Sequence, residues 1–312
     1  MHKLALAVAS AIAFGAAACG GDGSSGEATS SRRSTTTAAE EEIRLSSVLG
    51  IALLPDGELL IADGDAGRVV QVDLDNGRLS SFPSEGLVAP TGIDVAPDGT
   101  VYVADRHAPA VFRIEDGVVT RLAEYGEPLD VAVDSEGTVF VTGRANTVVE
   151  VDPETGESTH YAGTGGDASS GNGGPALEAS IASPHGIAVT PDDDVVVAEL
   201  TSVRRIDRAT NAIHAIAGTT ERWLCREQGR PLEVCLTALR VVFAPNGGFY
   251  VADPENSRLW HISGGRARAL DLGFPPFDVV VESPTTVIVA DNEGRRIVRY
   301  DVSSGVADPV VE

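Results

Sequence analysis

The sequence predicts an all-β fold made of repeated four-stranded sheets, and two observations support this prediction. First, a cassette of apolar strands and tight turns recurs, and its clearest copy is TGIDVAPDGTVYVADRHAPAVFRIEDG at Thr91–Gly117. Second, the turns recur at intervals of 38 to 56 residues, starting at Pro55, Pro97, Ser135, Pro191, Pro245 and Ser283. Four strands in about 40–50 residues fit one propeller blade. We therefore expect a six-bladed β-propeller of four-stranded antiparallel blades, a closed ring that removes exposed sheet edges.

Each repeat has the same parts in the same order. The first and second strands are near-continuous Val, Ile and Ala runs, as expected for inner strands that are covered on both faces. A turn such as Pro97-Asp98-Gly99 joins them, because Pro presets φ and Gly supplies the positive φ of a tight hairpin. The third and fourth strands alternate with polar residues and are expected to be half-solvated. Two segments, Ile43–Ser46 and Gly305–Val311, are alternatives for the strand that completes the last blade.

An acidic residue recurs at the end of the second strand, and in three copies an Arg follows five residues later. The pairs are Asp63 and Arg68, Asp253 and Arg258, and Asp291 and Arg296. A carboxylate at a turn can accept backbone N–H groups and hold the Arg of the next strand. Because the pair recurs around the ring whereas catalysis needs one site, we predict a structural role.

The N-terminal segment predicts export and anchoring. Residues 1–18 resemble a signal peptide, with a basic start, a short apolar stretch and small residues before Cys19. Cys19 after Ala16-Ala17-Ala18 resembles the bacterial lipobox, so we expect lipidation of Cys19; the alternative is an ordinary secretory signal cut near Ala18. Residues 19–42 are rich in Gly, Ser, Thr, Ala and Glu and predict a flexible linker. Residues 43–312 then form the propeller, held by lipid on the outer face of the cytoplasmic membrane in a bacterial cell envelope.

Charge and cysteines agree with an exported protein. The net charge of −23 argues against nucleic acid as a partner, because a phosphate backbone needs clustered Lys and Arg. With Cys19 assigned to lipid, Cys225 and Cys235 remain and are predicted to form a disulfide in an oxidising compartment. Two free buried thiols are the alternative.

The repeat resembles the NHL family. The matching residues are Pro-x-Gly-Ile-x-Val, then Asp-Gly-x-Val-Tyr-Val-Ala-Asp, and the loop AGTGGDASSGNGGPALEASIASPHGIAV that begins after Tyr161 resembles the long inter-blade loop of that family. The resemblance covers residues 45–312. It implies a propeller, but not one activity, because NHL propellers serve as binding platforms, sensor domains and enzymes.

Candidate binding residues lie where the repeats differ. The position that begins the first strand is Gly in three copies, and in the others it carries Asp130, Arg240 and Asp278. First strands line the central channel, so we expect these side chains near its mouth, together with His185. They are candidates for binding a cation, an amine or a polar ligand. The alternative is an ion pair of Asp278 with Arg240 that only closes the funnel.

The favoured function is a non-catalytic binding module for a small ligand, peptide, glycan or protein. We assign no catalytic residue, no metal and no cofactor. The alternative is a metal-dependent propeller enzyme, a lactonase or esterase or a lyase, with its site at the channel mouth. Pro184-His185-Gly186-Ile187 with the later Glu199 resembles one blade of the streptogramin lyases. Such enzymes need several converging ligands, and only His185 is expected at the channel.

Overall fold

The computed structural model describes residues 43–219, 226–245 and 247–311. The predicted signal peptide, Cys19 and the linker up to residue 42 lie outside these residues, and so does Cys225. The predicted disulfide between Cys225 and Cys235 therefore stays a prediction. Within the described ranges the chain is almost entirely strand and turn, with short 3-10 turns as its helical elements. In this part of the chain, no helix has the length and apolar character needed to cross a bilayer.

Six antiparallel sheets follow one another along the described chain, which confirms the predicted six-bladed β-propeller. Blades one and two comprise β1 (Gly50–Leu53), β2 (Leu59–Asp63), β3 (Arg68–Asp73), β4 (Arg78–Ser81), β5 (Pro90–Val95), β6 (Val101–Asp105), β7 (Ala110–Glu115) and β8 (Val118–Glu124). Blades three and four comprise β9 (Pro128–Val133), β10 (Val139–Gly143), β11 (Val148–Val151), β12 (Ser158–Ala162), β13 (Gly186–Val189), β14 (Val195–Ala198), β15 (Val203–Ile206) and β16 (Ile213–Ala217).

Blades five and six complete the ring. Their strands are β17 (Gln228–Gly229), β18 (Arg240–Phe243), β19 (Phe249–Asp253), β20 (Arg258–Ser263), β21 (Arg266–Asp271), β22 (Asp278–Ser283), β23 (Thr286–Asp291), β24 (Arg296–Asp301) and β25 (Ala307–Val311). Blade five is five-stranded, because the short β17 pairs with the outer strand β21. The first strands β1, β5, β9, β13, β18 and β22 contact one another in sequence, and β22 contacts β1, so they enclose a central channel.

Burial explains why these residues form these strands. The second strand β2 is buried along its whole length, whereas the outer strand β4 is mostly exposed. At the hairpin between first and second strands, Gly57 and Gly99 have φ of +93° and +92°, as the turn motif predicts. Among the described residues, six clusters of buried apolar side chains each lie between two neighbouring blades. The core is thus a ring of inter-blade contacts.

The strand β25 settles which segment completes the last blade. It pairs antiparallel with β24, so blade six is built from one continuous piece of chain. The alternative segment Ile43–Ser46 forms no strand. Instead, Leu45 and Val48 pack in the apolar cluster between blades six and one, and side-chain packing closes the ring there.

The repeated acids do anchor the turns, with one exception among the predicted Arg pairs. Arg68 Nε donates to Asp63 at 3.0 Å, and Arg296 Nε donates to Asp291 at 2.8 Å. The Asp63 carboxylate also accepts the backbone N–H groups of Ser46 and Ser47.

The predicted pair of Asp253 with Arg258 is wrong. Arg258 pairs with Glu227 at 3.1 Å, and Asp253 accepts from Trp260 Nε1 at 3.0 Å. The fully buried indole supplies the donor that the Arg supplies in other blades.

Candidate functional site

The channel is shaped by one equivalent position at or near the start of each first strand. Glycine occupies this position where the next blade comes close: a Cβ at Gly50 would lie 2.7 Å from the Thr91 carbonyl oxygen, and one at Gly186 would lie 2.5 Å from that of Leu239. The remaining copies carry the predicted Asp130, Arg240 and Asp278, which are buried. The first strands therefore leave room for three charged side chains inside the channel.

Arg240 crosses the channel. Its Nη1 donates to the carbonyl oxygen of His185 at 3.1 Å, and its Nη2 donates to those of Thr91 at 3.1 Å and Leu129 at 3.3 Å. Arg240 belongs to blade five, whereas these acceptors belong to blades two, three and four or their entry segments. One guanidinium thus joins four blades and blocks the channel across its width.

Asp130 and Asp278 lie beside this guanidinium. Arg240 Nε is 3.4 Å from Asp130 Oδ2 and 4.0 Å from Asp278 Oδ2. Each carboxylate also accepts a backbone N–H of the following blade, Asp130 from Ile187 at 3.0 Å and Asp278 from Ile51 at 2.8 Å. Burial raises the pKa of Asp130, and it raises the pKa of Asp278 to about 7, against the opposing effect of the Arg240 charge. The two acids connect blades and share one cation.

A third acid, Asp94, belongs to this group and was missed in the sequence. Its Oδ2 accepts the backbone N–H of Val133 at 2.9 Å, and burial raises its pKa to about 7. Asp94 lies two residues after Gly92, the glycine of its first strand that corresponds to Gly50 and Gly186. The equivalent residues of the other repeats are all apolar, which was the available signal: Ala52, Ala132, Ala188, Val242 and Val280.

The guanidinium divides the channel into two cavities, both of which Arg240 lines. The upper cavity, about 530 Å³, lies where the first strands begin and is lined by His185 together with residues of the turns between second and third strands. The lower cavity, about 740 Å³, lies where the first strands end and is lined by Asp94, Asp130, Asp278 and many apolar side chains. The structure therefore brings all four predicted residues to the channel, but His185 lies in a different cavity from Asp130 and Asp278.

The environment of His185 favours its neutral form. Burial lowers its pKa, and the nearby Arg240 charge lowers it further. Its Nδ1 lies 2.9 Å from the carbonyl oxygen of Ser183, which can only accept, so Nδ1 carries the proton. Nε2 is then a hydrogen-bond acceptor at the wall of the upper cavity.

The long loop between blades three and four forms one rim of the upper cavity through Asp167 and Ser183. A buried ion pair fixes this loop: Arg204 Nη1 lies 3.1 Å from Glu199 and also donates to the carbonyl oxygen of Ser180 at 2.8 Å. Glu199, which resembles a lyase residue in sequence, is therefore a loop anchor here. The segment between β16 and β18 is also long, but its described residues 226–238 do not line the upper cavity.

His160, His214 and His261 do not line this cavity. His160 and His214 are exposed on outer strands, and the ring of His261 stacks on Tyr250 with centroids 4.6 Å apart. Across the described ranges, no three His, Cys, Asp or Glu side chains are placed to hold one metal ion.

Comparison with known proteins supports the fold. No family model matches the chain, and no curated protein matches it. A solved Bacteroides thetaiotaomicron protein of unknown function is similar at a TM-score of 0.67 and 16% identity, over 84% of this chain and 70% of that one. An auxiliary nutrient binding protein from Bacteroides ovatus is similar at a TM-score of 0.65 and 12% identity, over 85% of this chain and 70% of that one. A virginiamycin B lyase from Staphylococcus aureus is similar at a TM-score of 0.54 and 15% identity, over 77% of this chain and 76% of that one. At these identities the likeness shows a shared β-propeller fold, and the NHL family stays a prediction.

Proposed function

We propose that this protein is a binding module whose upper cavity takes a small polar ligand. The observation that carries the proposal is the cavity itself: about 530 Å³, floored by Arg240 and lined largely by polar side chains. Ligand sites are usually preformed concavities of this size with a few convergent polar groups. Its rim includes a loop that a buried ion pair holds in place, so the site is built on a rigid frame.

We further propose that the chain is an NHL-type propeller tethered outside the bacterial cytoplasmic membrane by lipid on Cys19. The small residues before Cys19, the polar segment that follows and the net charge of −23 support this placement and argue against nucleic acid as a partner. Mass spectrometry of the purified full chain tests the anchor. A diacyl mass on the peptide that starts at Cys19 is expected, and an unmodified Cys19 in the membrane fraction would contradict it.

The auxiliary nutrient binding protein among the structural neighbours makes ligand capture a reasonable role for this fold, whereas the lyase keeps the enzymatic alternative open. Metal analysis separates the two. A stoichiometric divalent cation that His185→Ala releases, together with turnover of lactones, esters or cyclic peptides, would replace the binding module by the enzyme.

The binding proposal is tested by filling the cavity. Leu239 lines the upper cavity, and Leu239→Trp should occupy it. Thermal-shift screening of the detergent-solubilised full chain against sugars, organic acids and amino acids should give ligands whose effect Leu239→Trp abolishes. Val118→Trp is the matched control, because Val118 lies 62% exposed on the outer strand β8. Ligands that stabilise Leu239→Trp as well as the unmodified protein would place binding elsewhere.

A further inference from the structure

Arg106 places a guanidinium without an ion-pair partner among the described residues at the upper cavity. It lines the cavity from the turn between β6 and β7, and its Nε is buried without a hydrogen-bond partner in the described part of the chain. The neighbouring Asp105 does not pair with it: the oxygens of that carboxylate accept the backbone N–H groups of Val88, Ala89 and Ala108 instead. A buried donor left unpaired, more so on a charged group, is costly and calls for an explanation.

The other cations of the upper cavity are already occupied. Arg144 pairs with Glu127 at 2.8 Å. Arg240 donates to carbonyl oxygens through both Nη atoms, and its Nε, which forms no hydrogen bond among the described residues, lies in an ion pair 3.4 Å from Asp130. Among the cavity-lining arginines of the described residues, Arg106 is therefore the one whose guanidinium forms neither an ion pair nor a hydrogen bond with the protein.

Asn292 supplies a second donor to the same cavity. The backbone N–H of Val48 donates to Asn292 Oδ1 at 2.8 Å, which fixes the amide orientation and leaves Nδ2 as the remaining donor group. Asn292 lines the upper cavity, as does His185, whose Nε2 is an acceptor. The cavity thus offers a guanidinium, an amide N–H₂ and one ring acceptor.

We propose that the upper cavity recognises a small hydroxylated carboxylate, an inference that rests on the binding function proposed above. The ligand carboxylate would accept from Arg106 and from Asn292 Nδ2, and a ligand hydroxyl would donate to His185 Nε2. A planar guanidinium suits a carboxylate because two parallel N–H groups match its two oxygens. Asp65 and Asp167 also line the cavity and would disfavour a carboxylate placed on their sides, which fixes one orientation.

The test uses probes that differ in the carboxylate alone. Calorimetry of the solubilised full chain compares D-glucuronate with D-glucose and with methyl D-glucuronate. A second pair, acetyl-Ala-Ser with a free or an amidated C-terminus, also carries a hydroxyl and distinguishes a sugar acid from a peptide as the source of the carboxylate. We expect the acid of one pair to bind at least about tenfold more tightly than its neutral partner.

Two variants connect the binding to the proposed contacts. Arg106→Gln should weaken binding of the acid by about tenfold or more, whereas Arg121→Gln, an exposed Arg on the same blade, should leave it unchanged. Asn292→Asp keeps the acceptor for the Val48 N–H but replaces the amide donor by a negatively charged oxygen, so it should also weaken binding of the acid.

The outcomes separate the two proposals. The carboxylate inference is overturned if the neutral probes bind as tightly as the acids, or if Arg106→Gln binds the acid as tightly as the unmodified protein. If Leu239→Trp still abolishes that binding, the proposed binding function stands. Binding of an acid that Leu239→Trp leaves intact overturns both. No preference for either acid up to millimolar concentrations also overturns the carboxylate inference.

Discussion

The two cavities of the channel lie at the two ends of the same six first strands and differ in their lining. The lower cavity is lined mainly by the strands, and its wall is largely apolar with acids that include Asp94, Asp130 and Asp278. The upper cavity is lined by turns and entry segments, and it carries the arginines Arg106 and Arg144 beside two acids. The strands must pack against neighbouring blades, whereas the turns are free to vary. The comparison teaches that the turns place most of the charged groups that face the upper cavity, while charges on the strands hold blades together.

The largest expected change in the free energy of unfolding comes from removing Arg240, which lines both cavities. Arg240→Met leaves Asp130 and Asp278 buried without their cation, so we expect the free energy of unfolding at pH 8 to fall by about 3 kcal/mol. The loss should be smaller at pH 5, because the Arg240 charge lowers the pKa of both acids and its removal favours their neutral forms. Urea denaturation measures both values.

Arg258→Met is the control for this prediction. It removes an Arg of the same blade whose partner Glu227 is 82% exposed, so the cost should be about 0–1 kcal/mol. Equal losses of unfolding free energy in the two variants would mean that the buried Arg240 ion pairs stabilise the protein no more than the exposed pair of Arg258 does.

A smaller change, a gain in the free energy of unfolding, is expected when Asp94 of the lower cavity is replaced. The folded-state pKa of Asp94, about 7, lies above its ordinary value of 3.8, so its contribution to stability is lost as the pH rises through about 7. Asp94→Asn keeps an acceptor for the Val133 N–H and removes the charge. It should raise the free energy of unfolding at pH 8 by about 1–2 kcal/mol and change it little at pH 4. A pH dependence of unfolding identical to that of the unmodified protein would contradict a buried, titrating Asp94.

The smallest effect is expected for a side chain of the upper cavity. Arg240 contacts the backbone carbonyl of His185 and not its ring, so His185→Ala should change the free energy of unfolding by less than about 1 kcal/mol. Thermal unfolding checks this, with ligand affinity as the second readout. A larger loss would mean that the upper cavity wall is also structural, and the contrast between the cavities would fail.

The sequence predicted the repeat well because each blade depends on local signals. Pro-Asp-Gly turns such as Pro97–Gly99 and the apolar second strands recur with every copy, and the positions that differ among copies identified Asp130, Arg240 and Asp278. The acid of the turn was also predictable, since Asp63 and Asp291 hold the expected arginines.

Contacts between distant segments were not predictable in the same way. The pairing of Asp253 with Trp260 rather than Arg258 depends on which side chain the neighbouring blade buries. The role of Glu199 depends on Arg204, whose guanidinium reaches the loop at Ser170 and Ser180. No pattern in a single repeat contains these distances.

By itself, the sequence determined the blade, the number of blades and the positions that lie at the channel, because strand period and turn chemistry act over a few residues. The tertiary structure alone decided that Arg240 spans four blades and separates His185 from Asp130 and Asp278. It also left Arg106 Nε without a hydrogen-bond partner among the described residues. The reason is that a long side chain in a closed ring meets residues that are far away along the chain, and only ring geometry fixes which of them come within hydrogen-bond distance.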